Sequence, residues 1–196
     1  MARILDTFPD PVFDPPQTGQ QTVTLAGGCF WCTEGVFRQL PGVSSVISGY
    51  AGGDPTRANY RDVCEGDTDH AEVIVITYDA GQVSLGQILK VFFWLAHDPT
   101  QMNGQGADIG TQYRSSIFYQ NDEQNALATR YIQQIDAAKG FDKPVVTRLE
   151  PLTEFFKAEE YHQNYAALNP SQGYIQAVAQ PKIDKTRAKI GTKSAA

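Results

Sequence analysis

The sequence has 196 residues, of which 41% are hydrophobic and 19% charged, and a formal net charge of −6 at neutral pH. That length and composition provide for one domain with a sizeable core, and the acidic balance argues against a general nucleic-acid binder, which needs a basic surface to neutralise phosphates. Asp6, Pro9, Asp10 and Pro11 stand where a signal peptide needs an apolar stretch, and nowhere do about 18 apolar residues run together, so no membrane span and a cytoplasmic location are expected.

Residues 1–20 read as an N-terminal extension ahead of a single catalytic domain over 21–180. QTVTLA (21–26) is β-branched and alternating, which predicts a strand; Gly27 and Gly28 end it, and FWCTEGVFRQL continues with apolar residues at helical spacing. After the Pro41-Gly42 turn, VSSVISGY predicts a strand, and AEVIVITYD (71–79) predicts another. Ser84 and Gln87 make a capping-box pattern that opens a helix with Leu85, Ile88, Leu89, Phe92 and Leu95 on one face. SSIFYQ (115–120) predicts the next strand. A helix from about Asp122 to Lys139 follows, stopped by Gly140, and then a strand near Val145 to Leu149.

From Asn169 the chain is expected to be irregular. Beyond Pro181, Lys182, Lys185, Arg187, Lys189 and Lys193 face only Asp184, so 181–196 reads as a basic, solvated and flexible tail. The order β-α-β-β-α-β is the split βαβ arrangement of ferredoxin-like domains, in which right-handed crossovers place both helices on one sheet face. The expected fold is therefore an α+β two-layer sandwich on a ferredoxin-like core, with an extra helix and strand and an irregular C-terminal segment. The connections 51–70 and 98–113 are longer than usual, and loops of that size in a compact domain tend to carry function.

Three cysteines are too few for a disulfide scaffold and point to thiols used for chemistry or packing. In GGCFWC (27–32), Cys29 falls at a strand-to-helix junction, where the helix dipole and free N–H groups lower a thiol pKa; an inert buried cysteine is the alternative. Cys32 lies one turn on, at redox spacing. Cys29, Cys32, Cys64 and His70 are also four possible zinc ligands, although Phe30 and Trp31 would crowd a tetrahedral cage. The two aromatics suggest an apolar wall beside a nucleophile, or else core packing. Cys64 reads as packing, and His70 and His97 as structural.

GCFW (28–31) resembles the active-site signature of the A-type peptide methionine sulfoxide reductases. LPGV (40–43), SGYAGG (48–53), NYRDVCEGDTDHAEV (59–73), FFWLAHDPTQMNGQGADIGTQYRS (92–115) and EEYHQNY (159–165) resemble further family segments in the same order, so the likeness spans about residues 21–170. It implies the same two-layer fold and reduction of the S epimer of methionine sulfoxide, free or in oxidised proteins, with thioredoxin as final reductant and without cofactor or metal. Cys29 would attack the sulfoxide sulfur, Phe30 and Trp31 would hold the methyl group, and Cys32 would capture the product.

On the same resemblance Glu72 would be the acid that protonates the sulfoxide oxygen, Tyr60 and Tyr113 would donate to that oxygen, and Asp108 would steady the surroundings of the nucleophile. His162 and Tyr165 would back them. The chain departs from many relatives in carrying Cys32 after GCFW, and Ile175 after Gly173-Tyr174 where they place a recycling cysteine. A general dithiol exchange protein and a zinc-stabilised binding module are the competing readings.

Overall fold

A computed structural model describes residues 8–190. In chain order the elements are β1 (Gln20–Gly27), α1 (Phe30–Phe37), β2 (Val43–Ala51), the short α2 (Tyr60–Cys64), β3 (Ala71–Asp79), α3 (Leu85–Val91), the two-residue strands β4 (Gly104–Gln105) and β5 (Asp108–Ile109), β6 (Ser115–Tyr119), α4 (Asp122–Ala137), β7 (Arg148–Pro151), β8 (Phe155–Lys157), α5 (Tyr165–Leu168) and α6 (Gln180–Ile190). The main sheet has the order β7-β6-β1-β3-β2-β8. Its four central strands are antiparallel, in the arrangement expected of a split βαβ core; β7 joins β6 in parallel and β8 joins β2 antiparallel.

Period-two alternation decides what each strand offers to the helices. Ile74, Ile76 and Tyr78 of β3 join Val23 and Leu25 of β1 in the main core with Val36 and Phe37 of α1, while Ala71 and Val73 face the other side with Ala26 and Phe118. Glu72 shares the parity of Ile74 and Ile76. A carboxyl is thus carried into the helix-covered face, directly opposite Tyr50 of β2, and is only 3% exposed.

The capping box expected at Ser84 and Gln87 is present, and Asp14 of the N-terminal extension strengthens the same helix end by accepting from Ser84 Oγ at 2.5 Å and Gly86 N at 3.1 Å. Lys90, also buried, pairs with Asp10 at 2.6 Å. Residues 1–7 of the extension and 191–196 of the tail lie outside the described residues.

The C-terminal segment corrects the sequence reading. It is helical over Ile175–Ile190, first as a π-helical turn over Ile175–Ala179 and then as α6, rather than irregular. Ile175, Ala179 and Ile183 are buried at helical spacing, and α6 lies so close to α1 that a Cβ on Gly35 would meet Ile183 Cδ1 at 2.6 Å. The run of lysines hid this apolar stripe, because α6 is basic on its solvent side. The connections 51–70 and 98–113 also hold short structure, α2 in one and the β4–β5 hairpin in the other.

Candidate active site

Cys29 is the N-cap residue of α1, and its carbonyl accepts from Cys32 N at 3.1 Å and Thr33 N at 3.4 Å. Gly28 before it has φ +81°, where a side chain is strained, and a Cβ there would strike Gln105 at 2.7 Å. The glycine therefore lets the 98–113 loop close over the helix start. This is the strand-to-helix placement expected of Cys29. Its electrostatic consequence is the reverse of the expectation: burial pushes the thiol up, with the Cys32 hydrogen bond and the Glu72 charge acting in the same direction, and the Trp31 N–H pulls down too weakly to offset them. Cys32 is lowered, first by its hydrogen bond with Cys29. The proton is therefore held more tightly by Cys29 than by Cys32, and the resting Cys29 is a thiol.

Glu72 Oε2 accepts from Phe30 N at 2.9 Å. Burial raises its pKa to about 8, against the pull of that N–H, so at neutral pH the carboxyl is mostly protonated. An acid on β3 bonded to the N–H of the first residue of α1 thus lies beside the thiol of the residue before it.

Trp31 stacks on Tyr165 with ring centroids 3.9 Å apart and planes at 10°, and its indole N–H donates to His162 Nδ1 at 3.1 Å. His162 is 1% exposed, and its ring also packs on Tyr60 at 4.3 Å and on Phe30 at 5.2 Å. Trp31 remains partly exposed, whereas Phe30 is 1% exposed and sits between Tyr50 and His162 in the main core. Trp31 thus forms a wall, and Phe30 the packed floor behind it.

The two long loops bring Tyr60, at the start of α2, and Tyr113, in a short 3₁₀ turn, near the Cys29–Glu72 space. Burial, reinforced by nearby negative charge including Glu72, holds both phenols up, so both remain O–H donors. Asp108 on β5 accepts from Tyr174 Oη at 2.5 Å, and Tyr174 Oη lies 3.7 Å from Cys32 Sγ. All ten residues singled out from the sequence therefore converge on this one end of α1, with Tyr165 and His162 forming the backing of Trp31.

Three residues that sequence reasoning passed over complete the frame. Tyr174 packs edge-on to Trp31 at 5.9 Å; only its place in the Gly173-Tyr174 pair marked it. Glu159 accepts from Tyr50 Oη and Tyr60 N, both at 2.9 Å, tying α2 to the sheet. Glu34 of α1 is buried and accepts from Asn164 N at 2.7 Å, clamping the 159–165 segment onto the helix. Nothing in the spacing of either glutamate distinguishes it from a surface carboxylate.

His70 spends both ring nitrogens on the 51–70 loop, Nδ1 accepting from Gly53 N at 3.2 Å and Nε2 bonding Asp54 O at 2.9 Å, which removes it from a zinc set. Among the described residues no three His, Cys, Asp or Glu gather as a metal site. His97, held neutral by burial at a pKa of about 4, bridges Phe92 O and Ser115 Oγ. Cys64 is exposed at the end of α2.

The family model described as "Peptide methionine sulfoxide reductase" matches residues 21–194. The chain belongs to the A-type peptide methionine sulfoxide reductases. It is 49% identical over 172 residues to the peptide methionine sulfoxide reductase MsrA of Natronomonas pharaonis, covering 88% of this chain and 96% of that one. Among solved structures it superposes on Mxr1 from Saccharomyces cerevisiae in reduced form with a TM-score of 0.72 at 36% identity, over 82% of this chain and 91% of that one. Mxr1 in complex with Trx2 also matches, with a TM-score of 0.52 at 27% identity, over 79% and 89% of the two chains. As a methionine sulfoxide reductase the chain is an oxidoreductase, and its two-layer α+β architecture is that of the family. Among the described residues no helix is long and apolar enough to cross a membrane.

Proposed function

We propose that this reductase acts on the S epimer of methionine sulfoxide, free or within oxidised proteins, and so serves protein repair, with Cys29 as nucleophile and Glu72 as acid. The observation that carries this reading is the pairing of the Cys29 thiol at the start of α1 with a buried, protonated Glu72 bonded to the N–H of the next residue. A sulfoxide oxygen leaves sulfur only when protonated, and donors aimed at it lower the barrier further. Glu72 gives its proton to that oxygen, with Tyr60 and Tyr113 donating to it, as Cys29 Sγ attacks the sulfur and releases its own proton to replace the one lost. The new S–S bond and the substrate's S–O bond then break as the oxygen bonds to Cys29 Sγ, which leaves a sulfenic acid on Cys29 and releases methionine.

Cys32 then closes a disulfide with Cys29, one turn away, and water leaves. The likeness to an enzyme crystallised with Trx2 supports a thioredoxin as the reductant that reopens it. The test is turnover of each methionine sulfoxide epimer with thioredoxin and its reductase. Turnover of the S epimer alone is expected; insulin-disulfide reduction without sulfoxide turnover would overturn the reading.

Replacement of Cys32 by Ser is expected to leave release of about one methionine per enzyme in the absence of reductant and to stop further turnovers with thioredoxin. Mass spectrometry after one turnover should find Cys29 bonded to Cys32 in the unaltered enzyme; a Cys29–Cys64 bond would reassign the recycling thiol. The two aromatics should separate. Trp31→Ala is expected to weaken substrate binding by roughly 1 to 3 kcal/mol through lost apolar contact. Phe30→Ala should instead cost about 3 kcal/mol or more of folding stability, because its ring is buried in the core. Equal losses of Tm in the two variants would contradict this division.

A further inference from the structure

Cys32 Sγ has four titratable neighbours besides Cys29: Tyr174 at the start of the C-terminal helical segment, Asp108 on β5, Glu72 on β3 and Lys182 on α6. Only Tyr174 touches it, at 3.7 Å. The phenol's single proton is committed to Asp108 Oδ2 at 2.5 Å, and a carboxylate can only accept. Tyr174 Oη is therefore left with lone pairs toward Cys32, to which the Cys32 S–H can donate. The donors run in one direction, from Cys32 through Tyr174 to Asp108.

We propose that Tyr174 and Asp108 form the proton exit that activates Cys32 for disulfide formation, a second base system separate from Glu72. The inference rests on the reading that Cys32 captures the Cys29 sulfenic acid. In that step the S–S bond forms as the S–O bond of the sulfenic acid breaks; Cys32 sulfur is oxidised and Cys29 sulfur reduced, so no outside oxidant is needed. The Cys32 proton moves to Tyr174 Oη while the Tyr174 proton moves to Asp108. The departing hydroxide takes the Glu72 proton and leaves as water, and exchange with solvent returns the Asp108 proton to Glu72.

The phenol is a shuttle and never a standing tyrosinate, because burial and the negative charges of the thiols and Asp108 hold it protonated. Tyr174 is thus a catalytic residue of the recycling half-reaction, and Asp108 a positioning residue that acts through it. Lys182 favours the ionised Cys32, while burial and Asp108 disfavour it.

Tyr174→Phe keeps the ring against Trp31 and removes the shuttle. With one equivalent of methionine sulfoxide and no reductant, it is expected to release about one methionine per enzyme. Loss of the sulfenic acid, followed by a trapping reagent in rapid-quench samples, should be about 10²-fold slower at neutral pH. The deficit should shrink as pH rises above about 7, the value to which the Cys32 thiol is lowered, because the thiol then ionises without the shuttle.

Asp108→Asn still accepts a hydrogen bond and cannot take up a proton, so it should show the same pH-dependent slowing of sulfenic acid loss. Wild-type rate and pH profile for that step in Tyr174→Phe overturn the proposal, as does a loss of methionine release in the same variant, which would place the hydroxyl in the first half-reaction. A wild-type pH profile in Asp108→Asn overturns it too, leaving the hydroxyl a structural part. Cys32→Ser run alongside separates the two levels: continued recycling there removes the underlying reading, whereas lost recycling with an unaltered Tyr174→Phe removes the relay alone.

Discussion

Cys29→Ser is expected to abolish methionine sulfoxide reduction, with a loss of at least ~10⁴-fold in a single turnover. A serine hydroxyl does not ionise near neutral pH, is a far poorer nucleophile toward sulfur than a thiolate, and cannot form a sulfenic acid. The substitution separates chemistry from folding well. Cys29 is an N-cap without a side-chain hydrogen bond, and serine is among the preferred N-cap residues, so α1 should be no less stable in the variant. The measurements are methionine released per enzyme and Tm. An inactive variant with an unchanged or higher Tm is expected; appreciable turnover would place the nucleophile elsewhere.

Glu72→Gln is expected to lower the reductase step by at least ~10²-fold while changing substrate binding less. An amide keeps the acceptor for Phe30 N and has no proton to give at a useful pKa. In the unaltered enzyme the rate should fall as pH rises through about 8, where the carboxyl ionises, and the variant should lack that limb. Tyr60→Phe and Tyr113→Phe should each cost less than Glu72→Gln, and the pair together more than either.

Stability carries the same signature with a defined sign. The folded pKa of Glu72 is raised from 4.5 to about 8, so the native state holds a proton that the unfolded chain has lost. The stabilising contribution is fully present below the unfolded pKa and disappears as pH rises to the folded one. Glu72→Gln should therefore gain stability relative to wild type between about pH 4.5 and 8, by an amount that reaches a few kcal/mol at the upper end. Thermal unfolding of both proteins across that range checks it; a constant difference would mean that Glu72 titrates near its ordinary value.

The fold was largely legible because its strands alternate cleanly and its helices carry marked ends. AEVIVITYD became β3 residue for residue, Ser84 and Gln87 formed the capping box, and the four central strands took the split βαβ order. The misreading of the C-terminal segment has a physical origin. α6 buries Ile183 against α1 while Lys185 and Lys189 are exposed, and a short stripe of that kind is readable only once the receiving surface, opened by Gly35, is known. β8 was missed for a related reason: three residues on a sheet edge owe their conformation to β2 and not to their own pattern.

By itself the sequence determined the register of β3, and hence that a carboxyl at position 72 shares a face with Ile74 and Ile76, because side-chain direction along a strand follows from counting residues. It also determined that Cys29 precedes a helix and that Cys32 follows one turn later. Tertiary structure decided the electrostatics. The helix start alone would lower the Cys29 pKa, yet the thiol is raised, because the loops and β3 that bury it come from distant parts of the chain and desolvation outweighs the local dipole. It likewise brought Tyr174 and Asp108, 66 residues apart, into one hydrogen bond beside Cys32. Proton affinity depends on every group within a few ångströms, and which groups those are is a property of the packed molecule.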